Sequence, residues 1–232
     1  MAPATSTPAS SSLRFRPRSA MMTAQKDLGK TVSHAMTHGK RQRHIGRHVC
    51  AIPVVEWPGG GGTRLRLDHG FAEVADVPEG ELPRLLDVHF APLLEHGQEI
   101  SESCPLFGGL ILEVDSMRLI YPQCCGDLSD VTSWLDPAYS ASGKALVATG
   151  GHPCPEIIRE GDMVRLVCFD AHDPFRPPVD CDVVVPAASL RKAVVAALEQ
   201  LAVFASRLNC VTDIRAHPGL ASLLAGSNEL PC

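Results

Sequence analysis

The stretch from Ser189 to Leu208 constrains this chain most. Leu190, Val194, Leu198, Leu201, Ala205 and Leu208 recur in steps of three and four, which lays them along one face of a helix, and Pro186 stands just before its start. A helix with one apolar face has to bury it against another element. The β-branched, apolar runs Met163–Phe169 and Cys181–Val185 just ahead of it read as central strands, separated by the loop Asp170–Pro178 with its three prolines.

The rest of the chain follows the same grammar. His48–Trp57 and the alternating Thr63–Leu67 read as two strands around a Pro58–Gly62 hairpin loop. Glu79–His96 is helical in pattern, with Leu82, Leu85, Leu86, Phe90 and Leu93 on one stripe and Pro83 in the first turn. Leu106–Val114 and Met117–Tyr121 read as strands joined by the turn Asp115-Ser116, and Ala145–Thr149 as a short strand. A last helix is expected over Pro218–Leu224, ended by Gly226. The expected fold is α+β: a mainly antiparallel sheet with two packed helices, behind a disordered N-terminal leader. Hydrophobic residues make up 45% of the 232, enough for one sizeable core, and a single α+β domain over 48–232 is the simpler organisation.

Residues 1–47 form the leader. They are rich in Ser, Pro, Thr, Arg and His and lack apolar periodicity, the composition of a chain that cannot bury enough surface to fold. Three readings stand side by side: a functional basic tail, a transit peptide, or an upstream start codon with Met21, Met22 or Met36 as the true start. Residues 1–50 hold nine Lys/Arg against one acid, a balance of +8; the remainder holds 12 basic against 25 acidic residues, a balance of −13. An acidic body repels nucleic-acid phosphates and attracts basic partners. The longest apolar run, Ala193–Phe204, is broken by Glu199 and Gln200, so no membrane span is expected.

The most unusual segment runs from Tyr121 to Trp134. Gly126 suits a sharp turn out of the strand, Asp127 suits a helix cap, Asp130 adds charge to the first turn, and Leu128, Val131 and Leu135 face inward. The structural reading makes Cys124 and Cys125 two small buried side chains where strand meets helix; the functional reading makes them a thiol or metal site. The run Cys124-Cys125-Gly126-x-Leu128-x-Asp130-x-x-x-Trp134 resembles one in a family of uncharacterised bacterial proteins. There a Gly-His-Asp-Pro-like segment, a strand and a long C-terminal helix follow. This chain has Gly151-His152-Pro153-Cys154-Pro155 and departs at Pro153 and Cys154. The likeness covers about residues 105–225 and implies a domain without assigning an activity.

The nine cysteines are odd in number, irregularly spaced and partly set in apolar runs, as Cys168 and Cys181 are, which argues for reduced thiols and a cytoplasmic location. No pair has the C-x₂₋₄-C spacing of structural zinc; a metal site would need Cys124, Cys125, His152 and Cys154 to converge. His34/His38 and His44/His48 have the i, i+4 spacing without an accompanying glutamate motif. Ser142-Gly143-Lys144-Ala145 fails as a phosphate loop at Ala138 and Ala145, and no G-x-S-x-G is present. Asp170-Ala171-His172-Asp173 reads as a solvated turn, and Trp57 and Trp134 as core or rim. With seven Phe, two Trp and two Tyr there is no platform for stacking bases.

No catalytic constellation emerges, so the reading leans away from an enzyme and expects no cofactor. The sequence favours a soluble, cytoplasmic binding protein, of the immunity type, that neutralises a basic protein such as a toxin. Cys124, Cys125, Gly126, Asp127, Asp130 and Trp134 would then be its structural or partner-binding motif. The alternative is a metal- or thiol-dependent protein built on Cys124, Cys125, His152 and Cys154. Oligomeric state is not legible.

Overall fold

A computed structural model of the chain describes residues 44–58, 68–122, 126–135, 143–146, 155–169 and 180–227, with backbone alone at 143–146, 169 and 180. The leader over residues 1–43, the Gly-rich loop with the strand expected at Thr63–Leu67, the Asp170–Pro178 loop, and Cys124, Cys125, His152 and Cys154 lie outside the described residues.

The described residues form an α+β fold with two antiparallel-rich sheets. The first has four strands, β2 (Val49–Glu56), β3 (Phe71–Glu73), β4 (Gly108–Val114) and β5 (Met117–Ile120), in the order β3-β2-β4-β5 and wholly antiparallel. The second holds β1 (His44–Ile45), β6 (Gly143–Leu146), β7 (Glu156–Glu160), β8 (Met163–Phe169) and β9 (Asp180–Pro186), in the order β1-β9-β8-β7-β6, antiparallel except for the parallel β1–β9 pair. The helices are α1 (Leu82–Glu95), the one-turn α2 (Asp130–Ser133), α3 (Ala187–Leu208), and the short α4 (Thr212–Arg215) and α5 (Leu220–Leu224).

The expected single sheet is thus two. α3 packs on β2 of the first sheet, and its buried face shares one core with residues of both sheets. Val55 and Leu112, Leu166 and Val185, and Leu201 and Phe204 meet in one continuous core. Ala193 and Ala197 on α3 are buried in the same core, and their short side chains let helix and strand approach closely.

Turn chemistry fixes the first sheet. Asp68 and Phe71 pair across the two-residue turn His69-Gly70, both at positive φ (51° and 93°), and Asp115-Ser116 turns in the same way at 49° and 66°. Such primed turns match the right-handed twist of the strands they join. Asp115 steadies its turn by accepting backbone N–H bonds from His48 (2.9 Å) and Arg47 (3.1 Å), which hold its carboxyl below the usual range. No helix among the described residues is long and apolar enough to cross a membrane.

Candidate functional site

The described part of the Cys-Cys motif, residues 126–134, forms a turn and the one-turn helix α2. Gly126, Leu128, Val131 and Trp134 are buried, and Leu128 and Val131 belong to the main core. Gly126 does not sit at positive φ. Its need is space, because a Cβ there would lie 2.7 Å from the Gly108 carbonyl oxygen. Gly108 N–H bonds to the Gly126 carbonyl, and Leu128 N–H to that of Leu106, which sews the turn to the start of β4. Asp127 Oδ1 accepts from Ser129 N–H at 2.8 Å and from the Ser129 hydroxyl at 2.5 Å. Asp130 Oδ2 accepts from Asp127 N–H at 3.3 Å. These reciprocal bonds close a turn ahead of α2, with Ser129 rather than Asp127 in the capping place. Of the six motif residues, only Asp127 and Asp130 are both described and part-exposed.

A different set of residues converges on the outer face of the four-stranded sheet. Arg118, on the edge strand β5, donates Nη1–H to Asp68 Oδ2 and Nη2–H to Glu73 Oε1, each at 2.6 Å, and Nε–H to Glu113 Oε2 at 3.4 Å. Tyr121 donates its hydroxyl to the same Asp68 oxygen at 3.0 Å, and His69 meets the Tyr121 ring edge-on. One guanidinium therefore ties β3, β4 and β5 together.

Strand pairing shows how this comes about. Arg118 and Tyr121 are three residues apart and would face opposite sides of a regular strand. The register shifts beside Leu112/Glu113, where Glu113 opposes Arg118 but Leu112 opposes Ile120. The extra residue, Leu119, is a bulge that turns Arg118 and Tyr121 to one face. Glu73 and Phe71 alternate outward on β3, while Ala72 and Val74 go to the core.

The network borders a cavity of about 590 Å³ whose apolar part is Val54, Phe71 and Ile111. Three carboxylates surround one guanidinium, an excess of two negative charges. Burial alone would push the Asp68 carboxyl up, but the bonds from Arg118 and Tyr121 outweigh it and hold it below the usual range. Burial and the Asp68 carboxylate push the Tyr121 phenol up to about 12, so it stays protonated and donating. Burial opposes the Arg118 charge, yet the Asp68 and Glu73 carboxylates hold its pKa above the ordinary value. All three Arg118 donor nitrogens are engaged within the protein. The face offers the carboxylate oxygens of Asp68, Glu73 and Glu113 beside the Tyr121 hydroxyl. Among the described residues no three His, Cys, Asp or Glu side chains are placed to share a metal ion.

A second concavity opens beside α1. His89 is buried on the apolar stripe of that helix; its Nε2 lies 2.9 Å from Ser103 Oγ and 3.1 Å from the Cys104 carbonyl oxygen. A carbonyl only accepts, so Nε2 carries the proton and Nδ1 the lone pair. Ser103 in turn donates to the Cys104 carbonyl at 3.1 Å, which leaves its hydroxyl without a base. Burial lowers the His89 pKa against the opposing pull of the Cys104 carbonyl and Asp127, so the ring is neutral near pH 7. The signal for His89 was present in the sequence: it follows Leu85 and Leu86 by one helical turn. The Arg118 network had no such signal, because it joins two hairpins distant in sequence, Asp68–Glu73 and Glu113–Arg118.

Compared with known protein families, with curated proteins and with solved structures, the chain finds no match.

Proposed function

We propose that this chain is a cytoplasmic binding protein whose acidic sheet face neutralises a basic partner, in the manner of an immunity protein. One observation carries the reading: Asp68, Glu73 and Glu113 outnumber Arg118 three to one beside an open cavity. A lysine or arginine stem of the partner covers Phe71 while its cationic head meets the carboxylates. The surplus negative charge of residues 51–232, the region that carries this face, accelerates encounter with such a partner and disfavours nucleic acid.

The test is calorimetric titration of the whole protein with an arginine-rich peptide at low and at high salt. Binding that weakens steeply with salt, and that the double variant Glu73→Gln/Glu113→Gln reduces at least about ten-fold, fits the proposal. Equal binding by wild type and double variant removes this face from the interaction.

A further inference from the structure

The concavity beside α1 has a chemistry of its own, independent of the acidic face. It encloses about 310 Å³, within the size range of small-molecule sites, between α1 and the end of β2. Trp57, Leu85, Val88, Pro92, Leu106 and Phe107 form its apolar walls, and Glu56 and His89 are its titratable residues among those described. Phe107 and Val88 are about half exposed, at 50% and 49%, so large apolar surface stands open at this site.

Among the described residues the pocket holds an open acceptor, His89 Nδ1, and the Trp57 indole N–H. His89 Nε2–H is occupied by Ser103 and Cys104, and Nδ1, the lone-pair nitrogen, has no protein partner. Nor is Nδ1 sealed in: among the described residues the one fully buried side-chain polar atom without a partner is Arg159 Nη1. Glu56 adds a carboxylate. Pro92 removes the helical N–H that would otherwise reach the Val88 carbonyl. Three backbone donors along the wall are taken, with Glu56 N–H bonded to the Phe107 carbonyl, Trp57 N–H to that of Gly70 and Leu106 N–H to that of Leu224. The Arg84 guanidinium stands over the Trp57 ring at 5.8 Å and bonds to the Pro58 carbonyl at 2.8 Å, which fixes the Trp57 wall.

The geometry points to a binding site for a small neutral aromatic that carries a hydroxyl, a phenol, held between Trp57 and Phe107 with its O–H donated to His89 Nδ1. Ring faces supply the apolar contact, and the phenol O–H satisfies the one imidazole nitrogen that the fold leaves open.

Nuclear magnetic resonance titration of the full chain with 4-methylphenol, toluene and 4-methylbenzoate separates the contributions. Saturable shifts at the Trp57 indole and the Phe107 amide are expected with 4-methylphenol. Toluene, which keeps the ring and lacks the donor, should bind about five- to ten-fold more weakly, the worth of one hydrogen bond. The benzoate should bind more weakly still. Val88→Trp, at a half-exposed wall position that does not threaten the core, should abolish the shifts with the fold intact. His89→Gln should bring 4-methylphenol down to the affinity of toluene. Toluene equal to 4-methylphenol, shifts mapping elsewhere, or full binding by Val88→Trp would each overturn the assignment, as would an absence of saturable shifts.

Discussion

Arg207 makes the hydrogen bond that Pro53 cannot. Pro53 on β2 lies opposite Val74, the residue after β3, and its carbonyl accepts Val74 N–H at 3.0 Å. An antiparallel pair of this kind returns a second bond, from residue 53 to the Val74 carbonyl, and proline has no N–H to give. Arg207, in the last turn of α3, donates Nη1–H to that carbonyl at 2.9 Å and Nη2–H to the carbonyl of Val77. The long helix thereby closes a gap in the sheet on which it packs.

This relationship predicts a coupling. Arg207→Ala should lose about 1.5–3 kcal/mol, the scale of hydrogen bonds from a charged donor. In a Pro53→Val background, where the strand regains its own N–H, the same change should cost less. Urea denaturation of the two single variants and the double variant measures the difference. Independent, additive losses would mean that Arg207 acts only through its contacts elsewhere.

The helix bearing Arg207 also offers a direct test of the core. Leu201 is fully buried and Leu198 nearly so, while Glu199 between them is exposed. Truncation of either leucine to alanine should cost about 2–5 kcal/mol, more at Leu201, and Glu199→Ala less than about 0.5 kcal/mol. Equal thermal midpoints for Leu201→Ala and Glu199→Ala would contradict the packing.

How far the fold is legible depends on where the information sits. The apolar stripe of α3 is written locally, so its helix and buried face follow from spacing. The same holds for α1 and for the turn at Asp115-Ser116. β7 was not anticipated because Glu156-Ile157-Ile158-Arg159-Glu160 carries only two apolar residues among charges; its pairing with β8 is set across the Gly161-Asp162 turn. β1 runs parallel to β9 from far along the chain, ahead of the His48 boundary drawn from sequence, and no local pattern announces such a partner. The acidic face was legible only as net charge. Its geometry needs the bulge at Leu119 and a hairpin turn at His69-Gly70, neither of which periodicity reveals.

His89 gives the protein a pH-dependent stability. Its folded-state pKa lies below the ordinary histidine value because burial disfavours the imidazolium more than the Cys104 carbonyl and Asp127 favour it. The unfolded chain therefore binds a proton more readily, and stability rises with pH across the window between the lowered value and the ordinary one near ~6.5. The contribution is complete above that ordinary value and is lost as pH falls through the window. Urea midpoints at pH 8 and pH 5.5 should differ in wild type, and the difference should shrink in His89→Gln. An unchanged slope in the variant would assign the dependence to another group.

Arg118 holds together carboxylates that would otherwise repel one another. Removing its charge in Arg118→Met keeps most of the stem and leaves Asp68, Glu73 and Glu113 beside one cavity. At pH 7 the variant should lose about 1–3 kcal/mol, from hydrogen bonds broken and like charges left facing one another at a partly screened site. The sign with pH then reverses. In wild type the Asp68 carboxyl is held below its usual range, so this contribution is present above the unfolded value and fades as acid protonates the folded group. In Arg118→Met the crowded carboxylates take up protons above their unfolded values, so acidification relieves the repulsion. Denaturation of both proteins from pH 7 to pH 4 should show the stability gap narrowing as pH falls. A gap that stays constant over that range would mean that the guanidinium contributes packing alone and that the face is not organised by its charge.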